Sequence, residues 1–527
     1  MSLHTVGGTD RTPASPWDPP LAFPVGIPSA TLAWPHPVLS PEIPVGISEA
    51  EMLHISVYGL RDRDPSASSS TNLSRGQRAG VAFIAMLIVA GFVFRPLFMG
   101  IILIMIAMTF YAASLSYRVV LYVRSLSGSE MVRVSDAAAL AVPEADLPTY
   151  TIMVPAYNEP EVIEALVRAL DNMSYPKDKL DIKLLLEADD TKTVVAARWA
   201  ISGTHMEIVT VPAADPRTKP KALNFGLQTA RGEFVTVYDA EDRPEPLQLR
   251  KAVLAMRAAP EELGCLQARL SYFNPNQNLL TRWFTLEYAT WFAQFLPGLV
   301  MSDAPVPLGG TSNHFRRKVI EDVGGWDPFN VTEDADLGMR LHRLGFRTAI
   351  LDSVTWEEAN SDFINWIKQR SRWYKGYIQT WAVHLRHPVT LYRQLGPRAF
   401  LEFNLFVGGT PLLALLNPVF WGMTILWFVS EPSVLIQLLP GPIYYASLIC
   451  WIGGNFVLTY LNLMMAENMV GKHKFHRAAL LTPLYWIMMS IAAVKAAVQF
   501  VFQPSHWEKT VHGLSGKHDT TGGGPAS

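Results

Sequence analysis

The sequence predicts a mainly parallel α/β domain that is inserted between two groups of transmembrane helices. Charged residues make up 17% of the 527 residues, well below the roughly 25% of a typical soluble protein. Long apolar runs lie on both sides of a central region in which strand-like and helix-like segments alternate. Such alternation is typical of a mixed, mainly parallel sheet with helices on both faces. The formal net charge of −2 gives no reason to expect a nucleic-acid partner.

The N-terminal segment, residues 1–78, is rich in proline and serine. A segment of this composition buries too little apolar surface to offset the entropy that it would lose on ordering. We therefore expect a flexible tail, in which only residues 52–60 have the pattern of a piece that orders against a partner.

Residues 79–119 are expected to form a transmembrane helical hairpin. Two apolar runs in this segment are split by Arg95 and Pro96, and about 20 apolar residues are enough to span a bilayer. A basic flank follows the hairpin and consists of Arg118, Arg124 and Arg133. The excess of arginine places this flank, and the domain that follows it, in the cytoplasm.

Residues 120–380 are expected to form the α/β domain. The strand candidates are Tyr150–Val154, Ile182–Glu187, Glu207–Val211, Glu233–Tyr238, Gly264–Gln267 and Thr348–Leu351. Helical patterns lie between them, for example at Glu161–Asn172 and Leu247–Arg257. Sheets of this kind bind ligands at the carboxyl ends of their strands, so the polar motifs at those ends are the candidate site.

The C-terminal third of the chain returns to the membrane. Residues 381–398 mix basic and aromatic residues with aliphatic ones and predict an interfacial helix. Residues 399–503 contain three apolar runs and predict transmembrane helices, and residues 504–527 form the tail. The first run holds one long helix or two short ones around Asn417, so the chain has five or six spans. Basic residues flank the last run on both sides, so charge does not decide the topology.

Four polar clusters fall at the predicted strand ends, and together they suit a phosphate-bearing sugar donor. Carboxylates at residues 239–242 can hold Mg²⁺ or Mn²⁺ because hard cations take oxygen ligands. The ion and Lys219 would neutralise a departing diphosphate. Asp334, at the start of a helix, could deprotonate an acceptor hydroxyl. Trp373 offers a flat face to a sugar ring, while Arg370 and Arg372 offer guanidinium forks to phosphate oxygens.

Each of these residues also has an ordinary structural explanation when it is considered alone. Asp334 would favour the helix dipole, residues 239–242 would form a solvated turn, and Lys219 would be a surface lysine. The segment Gln369–Trp373 would be one face of an amphipathic helix. Their joint occurrence, in this order and at strand ends, favours a catalytic site.

These motifs resemble those of the processive family 2 glycosyltransferases, which include cellulose, curdlan and hyaluronan synthases. The segment Gln369–Trp373 matches the family's Q-(Q/R)-x-R-W element, and Thr332–Asp334 matches the T-E-D of its catalytic base. Asp239 matches the first position of the metal-binding D-x-D, whereas Glu241 replaces the second aspartate, so Glu241 or Asp242 would complete the site. The resemblance covers about residues 150–515 and implies a GT-A-like cytoplasmic domain.

The resemblance also implies roles for individual residues. The catalytic group would be Asp334 with Glu333 and Thr332. The nucleotide sugar would be held by Ala156, Tyr157, Glu159, Glu187, Asp189, Asp190, Lys219, Asp239, Gln369, Arg370, Arg372 and Trp373. The metal ligands would be Asp239, Glu241 and Asp242. The acceptor would contact Trp373, Gly310, Thr311 and His314, near a channel-mouth helix at Phe284–Phe292. A gating segment would contain Trp507, Lys509 and Thr510.

The implied function is an inverting, processive synthase of a β-linked polysaccharide in the bacterial plasma membrane. The expected donor is UDP-glucose, the expected product is a β-glucan, and the growing glycan would leave through the enzyme's own transmembrane channel. The expected partners are the UDP-sugar, the growing glycan and the lipid bilayer, while accessory export proteins and self-association are left open. A cytoplasmic gating segment would require an even number of spans, namely six.

Three alternatives remain at this point. The chain could transfer a single sugar to a lipid acceptor without elongating it. It could use GDP-mannose or UDP-N-acetylglucosamine in place of UDP-glucose. It could also be a transport or assembly subunit with an inactive transferase domain, which the presence of every expected catalytic side chain disfavours.

Overall fold

The α/β domain is built on a mixed nine-stranded sheet. A computed structural model of the chain describes residues 47–127, 131–430, 437–439, 441–467, 472–504 and 508. The strands within these ranges are β1 (Met131–Val132), β2 (Tyr150–Ala156), β3 (Leu180–Glu187), β4 (Glu207–Val211), β5 (Phe234–Val237), β6 (Arg243–Pro244), β7 (Leu263–Tyr272), β8 (Asn313–Arg316) and β9 (Arg347–Glu357). Their order is β1-β9-β7-β8-β5-β2-β3-β4, and β6 pairs with β9.

The helices fall into three groups along the chain. The N-terminal helices are α1 (Glu49–Arg63), α2 (Arg75–Phe94) and α3 (Pro96–Ser127). The helices of the α/β domain are α4 (Asp136–Ala141), α5 (Ile163–Asp171), α6 (Thr191–Ala200), α7 (Lys219–Leu227), α8 (Gln248–Ala258), α9 (Leu279–Thr290), α10 (Leu296–Met301), α11 (Arg317–Asp322), α12 (Glu333–Arg343) and α13 (Phe363–His384). The C-terminal helices are α14 (Pro388–Phe403), α15 (Gly409–Ser430), α16 (Gly441–Leu448), α17 (Gly454–Glu467), α18 (Lys472–Leu480) and α19 (Thr482–Phe502).

The predicted fold class is confirmed, because all strands but β6 and β8 run parallel to one another. Strand β4 has the predicted bounds, while β7 and β9 are longer than predicted. Strand β8 was not predicted: it is four residues long and inserts antiparallel between β5 and β7. It places part of the expected acceptor loop inside the sheet.

The sheet is covered on both faces, as its alternating side chains require. Ile152 on β2 packs with Leu166 of α5 and Leu249 of α8 on one face. Met153, the next residue, packs with Leu223 of α7 on the other face. Residues of β2 and β3 are therefore buried on both sides, which is typical of central parallel strands. This rigid core fixes the strand ends that carry the candidate site.

Four helical stretches in the described part of the chain are long and apolar enough to cross a membrane. They are Arg75–Phe94, Pro96–Leu126, Pro388–Val429 and Thr482–Phe502. Helix α2 has no buried residue although it is apolar on all sides, and a helix of that kind suits a lipid environment. A further helical run covers residues 441–467 and contains a π-helical turn at Ile449–Gly453. Five or six spans were expected.

The boundary between the α/β domain and the C-terminal helices differs slightly from the predicted one. Helix α13 continues to His384, so the expected interfacial helix begins only at Pro388. Gly396 has a φ of 75°, and Pro397 follows it. Because a positive φ interrupts an α-helix, the chain bends there before it continues towards α15.

The second half of the expected flexible tail is structured. Residues 49–63 form α1, which packs on α7. The backbone N–H of Ser69 donates to Asp327 across 2.5 Å, and the Ser68 hydroxyl donates to the same carboxylate across 3.1 Å. Arg386 donates to three backbone carbonyls between Pro65 and Ser68. These contacts offset the ordering entropy that the composition alone could not offset. Residues 1–46 lie outside the described part.

Candidate active site

A cavity of about 590 Å³ lies at the carboxyl ends of the parallel strands and continues between the membrane helices. At one end it is lined by Ala156 at the end of β2, Glu187 at the end of β3 and Asp239 just after β5. At the other end it is lined by Leu413 of α15 and Leu458 of α17. The same space thus joins the strand-end motifs to the membrane-facing part of the molecule.

Lys219 lines the strand-end part of this cavity. It is the first residue of α7, and its ammonium forms an ion pair with Asp239. The same ammonium donates to the backbone carbonyl of Gly310 across 2.6 Å. Burial opposes the charge of Lys219, but the carboxylates of Asp239 and Glu333 outweigh burial, so the pKa of Lys219 lies above its usual value. Lys219 is therefore a permanent cation at the strand ends.

The catalytic-base candidate lies beside this lysine. Asp334 is in the first turn of α12, and a methyl group added to Gly310 would sit 3.4 Å from its Oδ2. Burial raises the pKa of Asp334 to about 6. The same cause raises the pKa of Glu333 to about 8. A carboxylate with a pKa near 6 is a good proton acceptor near neutral pH, whereas Glu333 is mostly protonated there.

Helix α13 supports the Thr332–Asp334 turn from behind. A methyl group added to Gly376 of α13 would collide with the side chain of Thr332. This close approach of the α13 backbone requires a glycine. The Thr332 hydroxyl is buried without a hydrogen-bond partner and lines the cavity. The turn that carries Asp334 is thus held by packing.

The three expected metal ligands do not lie together. Asp239 and Glu241 line the cavity, whereas Asp242 does not. The Asp242 carboxylate accepts from the backbone N–H of Asp239 across 2.8 Å and from the hydroxyl of Thr311. Burial raises the pKa of Asp242 well above its usual value. Asp242 therefore braces the turn, and the expectation that it binds metal is corrected.

Asp239 and Glu241 still suit a divalent cation. No group of three or more His, Cys, Asp or Glu side chains that could hold a metal ion occurs in the described part of the chain. Mg²⁺ is usually held by one or two carboxylates together with substrate phosphates, so two carboxylates in a cavity of this kind fit. Glu357, at the end of β9, also lines the cavity, and burial raises its pKa well above normal.

Some of the residues that were expected to bind the nucleotide line the cavity, and others lie outside its lining. Ala156, Tyr157, Glu159 and Glu187 line the cavity. The carboxylate of Glu187 forms an ion pair of 2.8 Å with the fully buried Lys221. This pairing fixes Glu187 at the end of β3.

Asp189 and Asp190, expected in the same group, lie outside the cavity lining. Asp190 is the N-cap of α6 and accepts from the backbone N–H of Thr193 across 3.2 Å and from that of Asn158. Asp189 forms an ion pair with Arg217, which does line the cavity. The carboxylates of both aspartates therefore bind other groups of the protein, and they help to shape the nucleotide end of the cavity from outside its lining.

Four residues of the Gln369–Trp373 segment of α13 line the cavity, namely Gln369, Arg370, Arg372 and Trp373. The side-chain oxygen of Gln369 is buried and has no hydrogen-bond partner among the described residues. Burial lowers the pKa of Arg372, while the carboxylates of Glu333 and Asp239 act in the opposite direction. Arg372 is thus a partly buried cation that faces the same acidic groups as Lys219.

Arg370 has a different role from the expected one. Its guanidinium binds both carboxylate oxygens of Glu287, at 2.9 and 2.5 Å. It also lies over the rings of Trp373 (4.6 Å), Trp366 (5.2 Å) and Phe284 (5.2 Å). Because the fork is already used by Glu287, Arg370 anchors α13 to α9, and its expected contact with the nucleotide sugar stays a prediction.

The expected acceptor residues are split between the cavity and the sheet. Gly310 and Thr311 line the cavity, whereas His314 does not. His314 is a fully buried residue of β8, 2.8 Å from the Tyr150 hydroxyl and 3.3 Å from the side-chain oxygen of Gln248. Burial lowers its pKa to about 3, so it is neutral and structural. Its expected role at the acceptor site is corrected.

The expected gating residues Trp507, Lys509 and Thr510 lie outside the described part of the chain. Glu508 between them is described. Its carboxylate accepts from Lys495 at 2.7 and 2.8 Å, and its backbone carbonyl accepts from Arg372 across 3.4 Å. Glu508 therefore lies on the side of the cavity that carries Arg372.

Sequence reasoning missed five charged residues of the cavity lining, namely Arg118, Arg217, Glu287, Glu357 and Glu358. Glu287 lies in the aromatic run 283–295, where a lone carboxylate was a usable signal. Glu357 ends a strand as the other acidic motifs do, and Arg118 was considered only as part of the basic flank. The expected channel-mouth helix contributes Tyr288, Trp291 and Phe292 to the lining.

Comparison with known proteins identifies the region that surrounds this cavity. Residues 234–466 match the family model described as glycosyl transferase family group 2. This part of the chain is similar to glycosyltransferase family 2. The family 2 region contains Asp239, Asp334 and the Gln369–Trp373 segment, and the match confirms the predicted enzyme class for it. It supports the family and not its processive branch in particular.

Two curated relatives of the chain are partial matches. The chain is 31% identical over 236 residues to the probable glycosyltransferase YdaM of Bacillus subtilis, which covers 44% of this chain and 56% of that protein. It is 27% identical over 253 residues to the β-monoglucosyldiacylglycerol synthase of Trichormus variabilis, which covers 46% of this chain and 53% of that protein. The chain therefore spans little more than half the length of these relatives.

A solved structure is also similar. The mannosyltransferase PcManGT from Pyrobaculum calidifontis, in complex with GDP-Man and Mn²⁺, is 19% identical and superposes with a TM-score of 0.49. The alignment covers 76% of this chain and 99% of that one.

Proposed function

We propose that the chain is a membrane-embedded transferase that moves a hexose from a nucleotide sugar to a lipid acceptor, with its catalytic domain on the cytoplasmic side of a bacterial plasma membrane. The observation that carries this proposal is the continuous cavity. One end holds the Lys219, Asp239 and Asp334 cluster, and the other end lies between apolar helices. A membrane-borne acceptor can therefore meet a water-soluble donor.

The donor would lie along the strand ends. Ala156, Tyr157, Glu159 and Glu187 line the end that would take the base and ribose. Lys219 and Arg372 would take the diphosphate, because cations in a site of low water content stabilise developing negative charge strongly. UDP-glucose is the donor that we propose, and GDP-mannose and UDP-N-acetylglucosamine are the alternatives.

The transfer would be a single displacement with inversion. The acceptor hydroxyl attacks the anomeric carbon, Asp334 accepts the hydroxyl proton, and the bond from that carbon to the diphosphate oxygen breaks. Lys219 remains beside the departing diphosphate through its position between Asp239 and Gly310. An α-linked donor therefore gives a β-linked product.

Asp239 and Glu241 are the residues that would hold a divalent cation, Mg²⁺ or Mn²⁺. The ion would supply neutralisation of the diphosphate charge. Asp242 would hold Asp239 in place through its bond to the Asp239 backbone N–H. Thr311 would in turn hold Asp242.

A lipid acceptor is favoured by the chemistry of the membrane end and by one relative. Leu115, Leu413, Leu458, Leu461 and Met489 make that end largely apolar. The β-monoglucosyldiacylglycerol synthase is named for a glycolipid product. Transfer of one sugar to a lipid is therefore our first candidate.

Processive synthesis of a β-glucan is the second candidate. It is favoured by the complete Gln369–Trp373 element and by the aromatic lining of Tyr288, Trp291 and Trp373, on which sugar rings could stack. In that case the growing glycan, and not a lipid, would occupy the membrane end of the cavity.

Product analysis separates the two candidates. The purified full chain in lipid nanodiscs would be given labelled UDP-glucose, Mg²⁺ or Mn²⁺ and diacylglycerol, with D334N as the matched inactive control. We expect an organic-soluble product that carries one glucose. A long, water-soluble product that a β-glucanase degrades would establish the polymer synthase instead.

A further inference from the structure

The membrane end of the cavity is lined by a charged residue, Arg118, that the proposed chemistry does not use. Arg118 of α3 lines the cavity and donates to the Thr410 hydroxyl across 2.8 Å. Its Nε is buried and has no hydrogen-bond partner. Its guanidinium carbon lies 5.5 Å from the ring of Phe295 and 5.3 Å from that of Phe406.

Arg118 differs from the other members of the basic flank in its partners. Arg133 forms an ion pair with Asp352 at 3.3 Å, and Arg124 lies 3.9 Å from Glu402. No described carboxylate forms an ion pair with Arg118. Glu287, a carboxylate of the same cavity, is bound by Arg370 and Tyr485. Arg118 therefore has no carboxylate of the described part of the protein within ion-pair distance, although the charge of Glu287 acts on it from further away.

The position of Arg118 along α3 matches the edge of a bilayer. It lies 22 residues after Pro96, the first residue of the helix. At about 1.5 Å per residue, this distance is roughly 33 Å, close to the ~30 Å thickness of a hydrocarbon core. Arg118 thus lies where the headgroups of the cytoplasmic leaflet would meet the cavity.

The surroundings of Arg118 are also unusual in their backbone. Phe295 ends a π-helical turn at Trp291–Phe295, and Phe406 lies within a second one at Asn404–Gly408. Such turns are rare and are often found at functional sites. Further into the membrane end, Asn417 lines the cavity with a buried side-chain oxygen that has no hydrogen-bond partner. Charged and polar groups at membrane depth usually mark a ligand path.

We propose that this end of the cavity binds a lipid through an anionic phosphate on its headgroup, and that Arg118 is the cation that receives it. A guanidinium fork matches phosphate oxygens in geometry and charge. The phosphate completes the ionic pairing of Arg118, and the acyl chains contact Leu413, Leu458 and Met489. That this lipid is also the sugar acceptor rests on the proposed function, and its binding does not.

The test compares two lipids with identical acyl chains, phosphatidic acid and diacylglycerol. The full chain in a neutral maltoside detergent is titrated with each lipid, and bound lipid is counted by native mass spectrometry. We expect phosphatidic acid to bind at least tenfold more tightly. Equal affinity for the two lipids would overturn the proposal, and this comparison needs no variant.

Two variants of Arg118, and a control variant that removes the same charge elsewhere, test whether Arg118 causes the preference for phosphatidic acid. R118Q should remove the preference for phosphatidic acid, and R118K should keep part of it because the charge stays while the fork is lost. Arg78 is an exposed arginine at the same side of the membrane, so R78Q should leave the preference unchanged. An equal loss in R78Q and R118Q would mean that general surface charge causes the preference, and would contradict the proposal.

Sugar transfer, measured in parallel, separates this inference from the proposed function. Preferential binding of phosphatidic acid with no sugar transfer to the free hydroxyl of diacylglycerol would support the inference and count against the proposed function. Transfer to diacylglycerol, unchanged in R118Q and with no binding preference, would support the function and overturn the inference.

Discussion

The Lys219 ammonium donates to the backbone carbonyl of Gly310 across 2.6 Å. This bond joins the first turn of α7 to the loop before β8 within the cavity lining. The same ammonium pairs with Asp239, so one side chain positions both the expected diphosphate site and the turn against which Asp334 packs.

Replacing Lys219 should therefore reduce turnover and shift its pH dependence. K219M should lower kcat/KM by about 100-fold or more, the magnitude typical of losing a preorganised charge partner. Lys219 also lowers the pKa of Asp334, so the rise in rate should move to higher pH. Nucleoside diphosphate release across pH tests both effects. K192M, at an exposed position on α6, is the control. A K219M enzyme with unchanged kcat/KM would refute the role of Lys219.

The pH dependence of the wild-type enzyme should follow Asp334. Burial raises the pKa of Asp334 to about 6, and only its ionised form can accept a proton. The rate of transfer should therefore fall as pH decreases through about 6 and level off above it. Initial rates at saturating donor measure this. A rate that does not change through that range would exclude Asp334 as the base.

Ionisation of the buried Glu333 carboxyl should lower the free energy of unfolding at high pH. Burial raises its pKa from 4.5 to about 8, so the fold favours the protonated form. The contribution of protonated Glu333 to the free energy of unfolding is fully present below pH 4.5 and is lost as pH rises through about 8. E333Q mimics the protonated form, and should raise the free energy of unfolding at alkaline pH by on the order of 2 kcal/mol and change it little in acid. Thermal melts at several pH values test this, and a uniform effect would contradict it.

The two arginines of the Gln369–Trp373 segment should behave differently. R370Q leaves Glu287 without its bidentate partner, and breaking a buried pair costs about 3–5 kcal/mol of stability. R372Q should instead raise the KM for the donor about tenfold or more, with little change in the melting temperature. The double variant R370Q/E287Q should recover part of the stability lost in R370Q. If both single variants lowered only the melting temperature, Arg372 would have no place in donor binding.

Substitutions of Asp239 and of Asp242 should have different effects on activity. D239N removes a proposed metal ligand and the partner of Lys219, and should lower kcat by about 100-fold or more. D242N should keep activity within a few-fold, because its amide oxygen can still accept from the Asp239 N–H and the Thr311 hydroxyl. Titration of activity with Mn²⁺ checks the assignment. Stronger loss in D242N than in D239N would show that the metal site has been assigned to the wrong carboxylate.

Much of the fold follows from local patterns in the sequence. Glu207–Val211 has the predicted bounds because its limits are set by composition and turns. β8 could not be predicted in the same way: four residues carry too little periodicity, and their pairing with β5 and β7 is decided by tertiary contacts. His314 was consequently expected in a loop although it lies inside the sheet.

The features of the site that could not be predicted from the sequence are those determined by contacts between residues far apart along the chain. Arg370 and Glu287 are 83 positions apart, so nothing near Arg370 shows that its fork is already used. The segment that carries Ser68 is ordered by Asp327, 259 positions away. By contrast, Asp334 and Lys219 lie at helix starts and Arg372 lies within a helical motif, and all three line the cavity, although their roles stay predictions.

The central claim is that this cavity transfers a sugar with Asp334 as the base. The most direct measurement is nucleoside diphosphate release by the purified full chain in nanodiscs, over a panel of UDP- and GDP-sugars with Mg²⁺ or Mn²⁺, for wild type and D334N. We predict release with one donor, and its loss in D334N while that donor still binds. Equal release by D334N, or donor binding without release by the wild type in the presence of lipid acceptors, would contradict the account.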